Sequence, residues 1–88
     1  MREWRAKFSV EFSRKQKKLK KHPELHKLLK RKIAEILEKP FLGKPLRYVL
    51  KGKRRVHLGS YVLIYRVDEC DRIIIFLDFD HHDNIYRE

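Results

Sequence analysis

Apolar and polar positions alternate over residues 3–9, with Trp4, Ala6 and Phe8 set against Arg5, Lys7 and Ser9. A period of two is that of a half-buried strand. From residue 10 the spacing changes to three and four. Phe12, Gln16 and Leu19 share one side of a helix that starts at Val10, with Ser9 as its cap. His22-Pro23 breaks this helix, because the residue before proline disfavours helical backbone. Pro23 then suits the first turn of a second helix. Leu25, Leu28, Leu29, Ile33, Ile36 and Leu37 form the apolar stripe of that helix, and Lys39-Pro40 ends it. Residues 41–45 read as a connector. The rest is strand-like: a short extended piece over 46–50, strands over 54–58, 61–67 and 72–79, a tight turn at Gly59-Ser60, and a polar turn over 68–71. The near-continuous apolarity of the last two strands predicts cover on both faces. The fold class expected is α+β, in the order β-αα-βββ, with a helical hairpin packed on a curved antiparallel sheet.

Eighty-eight residues make one domain, residues 1–88. One core of this size leaves room for a groove or a face as a site, and none for an interdomain cleft. The single cysteine, Cys70, excludes an internal disulfide and a cysteine-built metal cluster. The longest apolar runs, such as residues 73–77, are too short to span a bilayer. The first residues carry no apolar signal-peptide core. A cytoplasmic protein without a membrane role is expected.

Charge changes the picture more than composition does. The net charge is +11, and 40% of residues are charged. Residues 1–55 carry +15 and residues 56–88 carry −4. The footprint for a polyanion therefore lies in the first two-thirds of the chain. Residues 14–32 hold ten Lys and Arg and a single acid, Glu24. Like charges three and four apart on a helix are mildly destabilising. Their repetition favours a surface that faces an anion over a merely solvated one.

The segments Gly43-Lys44-Pro45-Leu46 and Arg55-Val56-His57-Leu58-Gly59-Ser60-Tyr61-Val62-Leu63-Ile64-Tyr65, and the tail His81-His82-Asp83-Asn84-Ile85-Tyr86, resemble the RelE/ParE toxin superfamily. The resemblance extends over essentially the whole chain, in length and in element order. It implies a toxin of a type II toxin–antitoxin pair. RelE-like members cleave mRNA in the ribosomal A site without metal or other cofactor, and ParE-like members poison DNA gyrase. The partners implied are a cognate acidic, RelB-like antitoxin, the ribosome and mRNA. An inactive nucleic-acid-binding module is a third reading.

RNA cleavage by attack of a 2′-hydroxyl on its own phosphate needs a base, cations for the phosphorane and an acid for the leaving oxygen. In a strand, Lys53, Arg55 and His57 fall on one face, and Arg54 and Val56 on the other. Arg55 matches the first basic position of the family strand, and His57 the second. Val62 stands where the family has an Arg that contacts the scissile phosphate. His81 matches the family His, and His82 stands at the catalytic Arg. A histidine titrates near neutrality, so His82, or else His81, is the expected proton-transfer group. Tyr86 matches the tyrosine that stacks on a base. The other reading of the tail is a solvated polar strand end. Lys17, Lys18, Lys20, Lys21, Lys27, Lys30 and Arg31 on the helices, with Lys51, Lys53 and Arg54, are the expected RNA-binding set. A metal site is disfavoured, because adjacent histidines on a strand point apart, and Pro23 separates His22 from His26.

Overall fold

Ser9 sets the geometry of the N-terminal third. Its hydroxyl accepts from the Phe12 N–H at 3.0 Å and donates to the Leu77 carbonyl at 2.6 Å. One side chain thus caps a helix and ties it to the last strand. In the computed structural model, which describes residues 3–47 and 52–85, the strand β1 spans Arg5–Phe8 and the helix α1 spans Val10–Lys18. A 3-10 turn, Leu19–Lys21, leads into α2, Pro23–Glu38, with proline in its first turn. Then come β2 (Lys44–Pro45), β3 (Arg54–Leu58), β4 (Tyr61–Asp68), β5 (Ile73–His81) and the one-turn helix α3 (His82–Ile85). Ser9→Ala is expected to lower stability by about 1–2 kcal/mol, read from the urea midpoint. An unchanged midpoint would show that water replaces the cap at no loss.

The sheet order is β1-β5-β4-β3-β2. β4 pairs antiparallel with β5, as the two adjacent apolar runs predicted, and β3 pairs antiparallel with β4 on the other side. β1 departs from this pattern: it pairs in parallel with β5, Arg5 opposite Ile73 and Phe8 opposite Phe76. An edge position leaves β1 exposed rather than half-buried, and Phe8 keeps 42% of its surface. Of the extended piece expected over 46–50, Leu46 and Arg47 carry no strand and residues 48–50 lie outside the described residues. The pairing falls earlier, on β2. Pro45 has no N–H to continue a ladder, which keeps that strand short and at an edge.

One register shift controls which residues of β5 face the core. Ile64 pairs with Asp78 but Tyr65 pairs with Phe76, so Leu77 is an extra residue. A slip of one position exchanges the faces of a strand. Ile74 and Phe76 on one side of the bulge and Phe79 on the other therefore all enter the core, and Asp78 and Asp80 stay out of it. The core joins these to Phe12, Leu19, Leu29, Ile33 and Ile36 from the helices and to Leu58, Leu63 and Tyr65 from β3 and β4. Val62 and Ile64 alternate with Leu63 and Tyr65 and so face the opposite side, yet they are 0% and 3% exposed. The two-faced cover expected for β4 is present.

No helix among the described residues is long and apolar enough to cross a membrane.

Candidate active site

The side of β3 that bears Arg55 and His57 gathers the site. Arg55 pairs opposite Ile64 and His57 opposite Val62. Two positions apart on one strand, their side chains meet: the Arg55 guanidinium donates to His57 Nε2 at 2.9 Å. A guanidinium only donates, so this nitrogen is the acceptor and the His57 ring is neutral. Burial pulls the His57 pKa below its ordinary value, with help from the positive charges of Arg55, His82 and Lys44.

His82 arrives from the other end of the chain. At the start of α3, its backbone N–H donates to the Ser60 carbonyl at 2.8 Å, across from the turn between β3 and β4. Its ring stacks against His57 with centroids 6.0 Å apart and planes 20° from parallel. The Asp83 carboxylate lies 3.7 Å from His82 Nδ1. The two imidazoles and the guanidinium form one cluster, assembled from residues far apart in sequence.

His81 goes elsewhere. It pairs opposite Tyr61 and meets that ring edge-on at 5.7 Å, where Tyr61 also stacks on Phe79 at 5.2 Å. Of the two tail histidines, His82 is the one beside His57. Tyr86 and Lys51 lie outside the described residues.

Asp80 holds the base of α3. Asn84 donates to its Oδ1 at 2.9 Å, as does the His81 N–H at 2.7 Å. Lys15 of α1 donates to Asp80 at 2.8 Å and to Asp78 at 2.7 Å. Burial works to raise the Asp80 pKa, but these hydrogen bonds outweigh it and hold the carboxyl below its usual range. Burial likewise opposes the charge on Lys15, and the bonds to Asp78 and Asp80 leave its pKa above the usual lysine value.

The expected cationic residues divide by role. Lys17, Lys18, Lys20, Lys21, Lys27, Lys30 and Arg31 are exposed along the helical hairpin. Lys53 is half-buried beside β3, and its carbonyl accepts from Leu46. Arg54 faces the helices instead, donating to the Gly43 carbonyl at 2.6 Å with its guanidinium 4.9 Å above the Phe41 ring. Sequence reasoning passed over Lys32 and Lys44 as binding residues, and the structure sets both beside Arg55 and His57. The Gly43-Lys44-Pro45 motif was the available signal for Lys44. Among the described residues, no three His, Cys, Asp or Glu side chains converge as metal ligands.

Residues 6–86 match the model of the ParE toxin of type II toxin–antitoxin systems, parDE. The chain belongs to the RelE/ParE toxin superfamily. A Methanocaldococcus jannaschii protein that carries the name RelE4 is 43% identical over 74 residues, covering 83% of this chain and 79% of its own length. Toxin RelG of Mycobacterium tuberculosis is 37% identical over 73 residues, covering 73% of this chain and 84% of its own. Among solved structures, the toxin–antitoxin complex RelBE2 from Mycobacterium tuberculosis aligns with a TM-score of 0.78 at 27% identity, over 91% of this chain and 99% of that one. This member of the RelE/ParE superfamily carries two stacked imidazoles, His57 and His82, with the Arg55 guanidinium beside one of them.

Proposed function

We propose that the protein is a ribosome-dependent endoribonuclease toxin that cleaves mRNA in the A site, with His57 and His82 as its base and acid. The observation that carries this reading is the imidazole pair at 6.0 Å with the Arg55 guanidinium at 2.9 Å from one member. His57, neutral and with a depressed pKa, takes the proton of the 2′-hydroxyl. The oxygen so freed attacks the adjacent phosphorus. Arg55 turns from His57 to the phosphate, where its planar fork stabilises the charge of the phosphorane. His82 donates its proton to the departing 5′-oxygen, and Asp83 steadies the imidazolium before transfer. The products are a 2′,3′-cyclic phosphate and a 5′-hydroxyl. This route draws on side chains alone.

The exposed cations of α1 and α2 would bind ribosomal RNA, with an affinity that falls steeply as salt rises. The same surface suits an acidic antitoxin, and the RelBE2 neighbour is a complex of that kind. A second reading, gyrase inhibition, is favoured by one observation: Val62, at the family's Arg position, is fully buried between His57 and Asp80 and supplies no cation.

Primer extension on a message under translation separates the two. New 5′ ends that require both the ribosome and the wild-type protein support the nuclease. An intact message with normal translation would overturn it and leave gyrase as the next target.

A further inference from the structure

A groove beside the histidine pair has the chemistry of a second anion site. Lys32 from α2, Lys44 from β2 and Arg55 and His57 from β3 line it, with Leu42 and Val56, around about 350 Å³. None of its lining residues is acidic.

Lys44 pairs directly opposite Arg55 across the β2–β3 ladder. Such partners share a face with their Cβ atoms about 5 Å apart, and like charges placed there destabilise a sheet. An anion between them turns that repulsion into attraction. The field reaches the proposed base, since Lys44 is among the charges that depress His57. Lys32 is held by Glu35 at 2.8 Å on the helix surface. An exposed pair of this kind contributes little, so a phosphate can compete for the ammonium.

The wall carrying Lys44 is fixed. The Gly43 N–H donates to the Tyr65 hydroxyl at 2.8 Å, and that hydroxyl donates to the Pro40 carbonyl at 2.8 Å. Arg54 donates to the Gly43 carbonyl. The fit leaves no space for a side chain, since a Cβ at position 43 would lie 2.6 Å from the Arg55 carbonyl oxygen. The Lys44 backbone is therefore held opposite Arg55 before any ligand arrives.

We propose that Lys44 and Lys32 form a phosphate subsite for the RNA phosphodiester next to the one held at Arg55, His57 and His82. The identity of the ligand rests on the nuclease reading above, and the position of the subsite rests on the groove.

The test uses a fluorescein-labelled single-stranded hexanucleotide with 2′-O-methyl groups throughout, which can bind but cannot be cleaved. Anisotropy titrations over a salt series give affinity and salt slope for the intact protein and its variants. Lys44→Ala is expected to weaken binding about five- to tenfold and to flatten the slope by about 0.7, the value for one single-strand phosphate contact. Lys32→Ala weakens it about two- to fivefold, by the same loss of a phosphate contact. Lys7→Ala, a charge-matched change on β1 at the opposite edge of the sheet, leaves both quantities as they were. The subsite is overturned if the two groove variants behave like Lys7→Ala while wild type binds normally. It is equally overturned if they lose only an acidic polyglutamate peptide and keep the RNA. Failure of wild type to bind the methylated RNA overturns the subsite, while the nuclease reading is decided separately by the primer extension. Normal binding that depends on Lys44, in a protein that cleaves nothing, overturns the nuclease alone.

Discussion

On the proposed activity, His82→Ala is expected to lower single-turnover cleavage of a ribosome-bound message by about 10²–10⁴-fold, the usual contribution of a positioned acid or base. His57→Ala gives a loss of the same order. The double variant falls little further, because groups that act as a unit are far from additive. The pH profile supplies the sign. The proposed base acts only when neutral, so activity is expected to fall as the pH drops through the His57 pKa. Burial and the charges of Arg55, His82 and Lys44 hold the His57 pKa low, so its neutral form persists to lower pH than that of a free histidine. The acid limb therefore lies below about pH 6.5, the ordinary histidine value. Lys44→Ala removes one of those charges and moves the acid limb upward. A flat profile, or full activity in His57→Ala, would remove both histidines from the chemistry.

The largest effect on stability is expected at Phe12, which is completely buried between Phe8 at 5.4 Å and Phe76 at 5.9 Å. Phe12→Ala deletes the aromatic contact of α1 with β1 and β5. A buried Phe→Ala change costs about 3–5 kcal/mol, against a total of about 4–13 kcal/mol for a domain of this length. The melting temperature should fall by roughly 15–30 °C. Val10→Ala, at an 80% exposed site on the same helix, should stay within about 0.5 kcal/mol of wild type. If the two variants melted together, α1 would not be packed as described.

The local code was strong where a single residue decides a local outcome. Ser9 caps α1, Pro23 opens α2, and the strand over 54–58 begins and ends where its pattern does. Non-local geometry was not legible. Nothing near Arg5 says that it will lie parallel to Ile73, because that pairing depends on where the whole hairpin lands on the sheet. The bulge at Leu77 was hidden because Leu77 ends the unbroken apolar run of residues 73–77, which carries no period to show a change of face. For the site, Arg55 and His57 were readable as one strand face. That His82 rather than His81 meets them depends on α3, a single turn held by Asp80 and Asn84. Lys44 was obscured because β2 is two residues long and half of it is proline.

The parallel pairing of β1 with β5 also imposes a timetable. A chain made from its N-terminus exposes Phe8 and Phe12 long before Phe76 has been joined to it. The Ser9–Leu77 bond spans 68 positions, and contacts of such separation form late in folding. The sheet therefore closes only once residues 73–81 are free of the tunnel, and His82 reaches His57 only after that. On the proposed activity, a nascent copy is harmless to the ribosome translating it. Its catalytic pair comes into being only once His82 has been made and has left the tunnel, by which time an antitoxin already present can be waiting for it.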